Sequence, residues 1–348
     1  MKFLPLVADS WAFSERPIEV YEIRDLYVPF NELSDENPEA IIKSLEKSSL
    51  LYLIEGRRGE GKSCFLRFLM SYLYETKVFT ILINTFGNQD YSDPNLMAKW
   101  IIGAISRAME NYEKTDKKTI EYINQLMAQK VAFQKGSESG FVAKVGGWFS
   151  VIPQILQINA ETSGQIKRVA NTMIEKAYFL DDRVACIDDL IYTITKETDF
   201  SKVAILIDGI DHMNVQDVGG FAEHNFTWLA DLKASTVITV LNNYQTNPDY
   251  VKATKSARFV TLPRISSVDG FERFLNKRMV ALNPKACWDD VCDKNATKLL
   301  FEWYVSEPDK MPLRVCLRSL SYAADRALHD GVEKILPYHM SVGIKDAF

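Results

Sequence analysis

Short runs of apolar residues alternate along this chain with longer segments in which apolar side chains recur every three or four positions. The short runs are rich in β-branched residues and predict buried strands; they are LYLIE (51–55), VFTILINTF (78–86), VAILI (203–207), TVITVLNN (236–243) and RFVTLP (258–263). The longer segments have helical spacing and include DENPEAIIKSLEK (36–48), SCFLRFLMSYLY (63–74) and LMAKWIIGAISRAMENYEK (96–114). This alternation predicts an α/β fold in which a parallel sheet carries helices on both faces.

Beyond residue 263 only the helical spacing continues. Three amphipathic segments, at 266–282, 296–305 and 312–328, predict a small helical bundle. Ser266, with Asp269 three residues later, fits a capping box at the start of the first of these helices. The chain is therefore expected to comprise an N-terminal extension (1–35), an α/β core (36–263) and a C-terminal helical bundle with a tail (264–348).

A segment between the core strands, at about 115–180, breaks the α/β pattern. The spacing of its first part predicts a helix, and QKGSESGFVAKVGGWFSVIPQILQINAE (134–161) is rich in Gly and Ser with interleaved aromatic residues. We interpret it as an insertion that forms a packed hairpin or a loop. Contact with nucleic acid through Lys135 and Lys144 is the less favoured alternative, because two lysines give little positive charge.

The loop after the first predicted strand has the spacing GxxxxGK[ST], since residues 56–63 read GRRGEGKS. It lies between a strand and a helix, which is the context that a phosphate-binding P-loop requires. Glycines allow backbone N–H groups to surround phosphate oxygens, and the helix N-terminus adds partial positive charge. Lys62 would contact the β- and γ-phosphates of ATP, and the Ser63 hydroxyl would bind Mg²⁺. The predicted nucleotide-binding residues are Gly56, Gly59, Glu60, Gly61, Lys62, Ser63 and Cys64.

A second element of a P-loop nucleotidase lies at 203–208, where a buried strand ends in Asp208. Parallel strands carry functional groups at their carboxyl ends. Asp208 is therefore predicted to support Mg²⁺ together with Ser63, which is the Walker B role.

These two motifs and DGIDH (208–212) resemble the AAA+ and STAND branch of P-loop ATPases, which includes origin-recognition-like ATPases and signal-transduction NTPases. The resemblance spans about residues 36 to 330 and implies that the C-terminal bundle is a lid. Many AAA+ members have Glu after the Walker B Asp, as the base that orients the attacking water, but this chain has Gly209. The DGxD arrangement is closer to the STAND pattern, in which Asp211 is the candidate for that role. STAND members often have Glu next, whereas His212 stands here and is more readily explained as structural.

The same resemblance implies three further roles for polar residues. Asn242, favoured over Asn243, lies where the family has its sensor 1, although a turn-forming Asn would look the same. Arg314 lies near the start of the third bundle helix, where the family places sensor 2; Arg318 is one turn later, and a solvated arginine is the alternative. Arg258 and Arg264 are candidates for a finger that reaches a neighbouring subunit, although surface charge is the more common role of such residues.

The composition of the sequence mainly excludes other classes of protein. The formal net charge of −5 gives no overall field that would hold a polyanion. The five cysteines show no CxxC pair, so we expect reduced thiols in a cytoplasmic protein rather than a zinc site or disulfide framework. The sequence has neither a good signal peptide nor a run of 18 apolar residues.

Three functions fit these observations, and the first is favoured. It is an oligomeric ATPase that uses ATP and Mg²⁺ to assemble with, or switch, a separate effector protein or nucleic acid, as in anti-phage defence or a mobile element. The second is a nucleotide-loaded adaptor that hydrolyses ATP slowly. The third, a small-molecule kinase, is disfavoured because no acceptor-binding segment is found. We expect no domain beyond the ATPase module, so that its output passes to a partner.

Overall fold

The computed structural model describes residues 3–8, 11–13, 22–85, 96–110, 183–197 and 200–348. The predicted insertion at 115–180, with Lys135 and Lys144, lies outside these residues, as does the end of the helix predicted at 96–114.

Five strands form one parallel sheet in the order β2-β3-β4-β1-β5. They are β1 (Leu51–Glu55), β2 (Val78–Asn84), β3 (Lys202–Asp208), β4 (Ser235–Val240) and β5 (Arg258–Thr261). Every residue of β4 is buried, and β1, β2 and β3 each have one partly exposed end residue. Burial of this kind requires helices on both faces of the sheet, so the predicted α/β class is confirmed.

The described helices, in chain order, are α1 (Pro5–Ala8), α2 (Ile23–Leu26), α3 (Ile41–Leu45), α4 (Lys62–Glu75), α5 (Leu96–Glu110), α6 (Arg183–Glu197), α7 (Val215–Ala230), α8 (Pro248–Ala253), α9 (Val268–Leu282), α10 (Trp288–Val291), α11 (Lys294–Ser306), α12 (Leu313–His329) and α13 (Pro337–Asp346). Two short 3-10 helices, Ile210–His212 and Asn242–Thr246, follow β3 and β4. No described helix is long and apolar enough to cross a membrane.

The chain divides into two compact units. The first comprises Met1–Ala40, Glu55–Phe68 and Thr261–Phe348, and the second comprises Ile41–Ile54 and Leu69–Val260. The core of the second unit consists of apolar side chains from β1 to β4 and from α5, α6 and α7, among them Leu53, Ile101, Ile194, Ile205 and Phe226.

The first unit contains the P-loop and the C-terminal bundle. Its N-terminal segment packs with both: Tyr27 stacks on Phe68 of α4 with ring centroids 4.2 Å apart, and Ser321 of α12 donates to the Ala8 carbonyl at 2.8 Å. The buried Arg278 of α9 stacks over Phe274, with the guanidinium carbon 4.0 Å from the ring centroid. The N-terminal segment is thus linked to α4 through Tyr27 and to the bundle through the Ala8 carbonyl.

Three local predictions need correction. The N-cap of α9 is Ser267 rather than Ser266, because the Ser267 hydroxyl accepts from the Gly270 N–H at 3.1 Å. The helix predicted at 36–48 is limited to a 3-10 turn and the five residues of α3. The strand predicted at 236–243 ends at Val240, since Asn242 already begins a 3-10 helix.

Candidate nucleotide site

The P-loop has the backbone that phosphate binding requires. Gly59 and Gly61 adopt φ angles of +79° and +93°, a region that side-chain-bearing residues rarely enter. The Phe65 N–H donates to the Gly61 carbonyl at 2.8 Å, so α4 starts directly at the end of the loop. Successive backbone N–H groups in such a turn, followed by a helix N-terminus, form an anion-binding concavity.

Lys62 lies inside this loop and is 3% exposed. Its ammonium donates to the carbonyl of Gly56 at 2.9 Å and to the carbonyl of Arg57 at 2.8 Å. The side chain therefore curls back over the loop, where a buried ammonium is stabilised by charge-assisted hydrogen bonds. Ser63 and Cys64, the next two residues of α4, are half-buried.

Glu60, between the two left-handed glycines, is directed into the protein and is 4% exposed. Its Oε1 lies 3.1 Å from Nε of Arg264, and its Oε2 accepts from the Tyr304 hydroxyl at 3.2 Å. Burial raises the pKa of Glu60, while Arg264, the Tyr304 hydroxyl and the Leu313 N–H oppose that shift. Burial, and then the negative charge of Glu60, raise the pKa of Tyr304, so its hydroxyl keeps the proton that it donates.

The start of α12 also contacts the loop. The Arg314 N–H donates to the Gly59 carbonyl at 3.2 Å. A Cβ placed on Gly59 would lie 3.1 Å from the Cβ atoms of both Pro312 and Arg314, so the approach depends on glycine. The main chain of Arg314, the predicted sensor-2 residue, thus contacts the P-loop, whereas its side chain is exposed.

Asp208, the last residue of β3, is held by two threonines in the second unit. Its Oδ1 accepts from the Thr239 hydroxyl at 3.0 Å, and its carbonyl accepts from the N–H and the hydroxyl of Thr85, both at 2.9 Å. The Thr239 hydroxyl oxygen also accepts from the Gly209 N–H at 3.2 Å. These contacts orient a carboxyl group that is 1% exposed.

The backbone conformation of the turn after Asp208 explains why residue 209 is a glycine. Gly209 adopts a φ of +98°, and Asp211 lies in the next 3-10 helix, 8% exposed. The Tyr244 hydroxyl lies 2.8 Å from the carbonyls of both Ile210 and Met213 and braces this turn. A glutamate at position 209, as in many AAA+ members, would require a strained backbone.

The remaining candidates lie in more exposed positions. Asn242 and Asn243 are both exposed, and Arg258 lies exposed on β5. His212 has a side chain that is 43% exposed, with its Nε2 3.9 Å from Asp211 Oδ1, so it is not buried in the turn.

Two arginines have intramolecular contacts. Arg318 donates to the Ala347 carbonyl at 3.3 Å. Arg264 contacts Glu60 within the chain, and a finger that reaches a neighbouring subunit stays a prediction.

The donor groups present suit a nucleoside phosphate and Mg²⁺. Left-handed glycines, an ammonium and a helix N-terminus match phosphate oxygens. Mg²⁺ is usually held by one or two protein oxygens together with phosphates and waters. A serine hydroxyl and the oriented Asp208 carboxylate are oxygens of that kind. Within the described residues, no cluster of three or more His, Cys, Asp or Glu side chains offers a separate metal site.

Comparison with solved structures shows similarity to origin-recognition proteins. Cdc6p from Pyrobaculum aerophilum is 13% identical with a TM-score of 0.46, and the match covers 98% of this chain and 71% of that chain. The Aeropyrum pernix ORC1 protein, solved in complex with DNA, is 15% identical with a TM-score of 0.46 and coverage of 98% and 68%. The A. pernix ORC2 protein, in ADPNP–ADP complexes, is 10% identical with a TM-score of 0.44 and coverage of 92% and 72%.

The predicted P-loop α/β fold is confirmed by the parallel sheet and by the left-handed glycines of the loop, and not by these matches, whose TM-scores lie below 0.5. At this identity and TM-score, no property of those proteins is transferred to this chain. No family model and no curated protein matches the sequence.

Several residues that shape the site were not predicted. Thr239 had one available signal, a hydroxyl residue in an otherwise apolar strand, STVITV. Tyr304 gave no such signal in the sequence, because it lies 244 residues from Glu60 along the chain.

Proposed function

We propose that this protein binds ATP with Mg²⁺ and hydrolyses it slowly, and that the bound nucleotide switches its association with a partner. The observation that carries the proposal is the P-loop conformation, in which left-handed Gly59 and Gly61 precede a buried Lys62 at the start of α4. Backbone N–H groups in such a turn and a helix N-terminus suit the oxygens of an anion such as phosphate.

Each predicted residue has a role in this proposal. Lys62 and the loop N–H groups bind the β- and γ-phosphates, and the side chain of Arg314 reaches the γ-phosphate. Ser63 and Asp208 hold Mg²⁺, which when bound neutralises phosphate charge. Asp211 orients the attacking water, and Asn242 contacts that water or the γ-phosphate.

Slow hydrolysis is the expected behaviour of the protein alone. The Gly209 backbone is left-handed, so the position after Asp208 suits glycine rather than a catalytic glutamate. The buried Asp211, in a turn braced by Tyr244, takes the water-orienting role instead. Partners of this switch are expected to be further copies of the chain and a separate effector protein or nucleic acid, in the cytoplasm.

The first test is Lys62→Ala. Loss of the ammonium removes a charge-assisted contact with phosphate worth roughly 1.5–3 kcal/mol, so ATP affinity should fall about ten- to a hundredfold. Isothermal titration calorimetry with MgATP measures this change, and circular dichroism checks that the variant is folded. Lys43→Ala, at an exposed lysine of α3, is the control and should bind normally. Unchanged ATP affinity in folded Lys62→Ala would contradict the proposal.

A further inference from the structure

A largely buried ion pair anchors the middle of the P-loop to the rest of the first unit. Glu60 lies between Gly59 and Gly61, and its side chain is 3% exposed, whereas that of Arg264 is 23% exposed. Their closest atoms, Oε1 and Nε, are 3.1 Å apart. Because glycines flank Glu60 on both sides, Glu60 is the one residue of the stretch 59–61 whose side chain can fix its conformation.

Arg264 is itself fixed by two further contacts. Its Nη2 donates to the Met311 carbonyl at 3.0 Å, and its guanidinium carbon lies 3.7 Å from the centroid of the Tyr304 ring. The Tyr304 hydroxyl accepts from the Ile265 N–H at 3.1 Å, next to Arg264. The guanidinium is therefore held in one orientation by a carbonyl, an aromatic face and a carboxylate.

This arrangement differs from the surface ion pairs of the same region. Lys310 and Glu307, on the connection between α11 and α12, form a pair at 3.2 Å with side chains that are 67% and 40% exposed. Exposed pairs of this kind contribute little to structure. The Glu60–Arg264 pair is largely shielded from water, so solvent screens it less than it screens the exposed pair.

We propose that Arg264 is a positioning residue for phosphate binding. Acting through Glu60, it sets the direction of the backbone N–H groups at residues 59–61, which directly precede Lys62. This inference rests on the proposed nucleotide binding. It predicts that Arg264 affects the binding of nucleotides according to how many phosphates they carry, since these N–H groups and Lys62 contact the β- and γ-phosphates.

The test compares nucleotides that differ in phosphate number. In the full-length protein, Arg264→Met should weaken ADP and ATP binding by about tenfold and leave AMP binding unchanged, because small displacements of positioned groups are costly. Arg264→Lys keeps the charge and should recover part of the loss. The matched control Lys310→Met removes an exposed cation nearby and should change none of the three affinities. Competition against a fluorescent ATP analogue measures all of them.

Two outcomes would overturn the inference. Arg264→Met could bind ADP and ATP as tightly as the wild type, or it could lose AMP, ADP and ATP affinity to the same extent, which indicates a general structural defect. Glu60→Gln provides an independent variant if Arg264→Met does not fold, and it should show the same dependence on phosphate number. Failure of the wild-type protein to bind ATP or ADP would instead contradict the proposed function itself.

Discussion

Two acidic residues, Glu60 of the first unit and Asp208 of the second, are buried in different ways. Glu60 faces a guanidinium and a tyrosine hydroxyl, whereas the carboxylate of Asp208 accepts from a threonine hydroxyl. An arginine neutralises the charge that it contacts, while a hydroxyl only orients it. The difference suggests that Glu60 has a positioning role within the protein, and that the Thr239 hydroxyl orients the carboxylate of Asp208.

The same contrast extends to the segments around these residues. The P-loop with its supporting residues is expected to determine how tightly nucleotide binds. The turn from Asp208 to Met213, braced by Tyr244, is expected to determine how fast it is hydrolysed. Variants in the two segments should therefore affect different measurements.

The largest expected effect is on the chemical step. Asp211→Asn should slow ATP hydrolysis by roughly 10²–10⁴-fold, as is typical when a general base is lost, and leave ATP affinity nearly unchanged. Single-turnover hydrolysis and calorimetric titration measure the two quantities separately. Asp211→Asn is nearly isosteric, so packing should be preserved.

Asp208→Asn is the matched comparison for Asp211→Asn. It should weaken Mg²⁺-dependent nucleotide binding, because a neutral amide compensates a cation poorly. If Asp211→Asn hydrolysed ATP at the wild-type rate, another group would orient the water. The assignment of nucleotide affinity to the P-loop and of hydrolysis rate to the turn after Asp208 would then be wrong.

A smaller effect is expected on stability at Gly209. Gly209→Ala places a side chain at a φ of +98° and should destabilise the protein by about 1–2 kcal/mol. Gly220→Ala, at an exposed position in the middle of α7, should instead stabilise it by about 0.5–1 kcal/mol. Urea unfolding measures both changes. If Gly209→Ala were as stable as the wild type, backbone strain would not explain the missing glutamate.

The sequence was sufficient for features that depend on neighbouring residues. Local spacing predicts the P-loop, the strands β2, β3, β1 and β5 that lie on either side of the central β4, and the helices α9, α11 and α12. The features that distinguish Glu60 from Asp208 depend on residues far apart in the chain: Thr239 is 31 residues from Asp208, and Tyr304 is 244 residues from Glu60. Side-chain pairing over such distances follows from tertiary packing, which no local pattern encodes.

The smallest expected effect concerns the pH dependence of stability. Burial raises the pKa of Glu60 despite the nearby Arg264, so the folded state holds this proton more tightly than the unfolded state does. The contribution of Glu60 is then most favourable below its usual pKa and is lost as pH rises through the folded-state pKa. Glutamine resembles the protonated form, so Glu60→Gln should match the wild type at acidic pH and become the more stable protein towards neutral pH.

Urea midpoints of the wild type and Glu60→Gln, measured from acidic to neutral pH, test this sign. A variant that becomes less stable than the wild type as pH rises would show that attraction to Arg264 outweighs burial. The expected result, together with weaker ADP binding by Glu60→Gln, would mean that the ionised pair is maintained at a cost in stability because it orients the P-loop. Replacing a buried charge with a neutral group often stabilises a protein. When that charge serves a binding site, as proposed for Glu60, the gain in stability is usually accompanied by weaker binding.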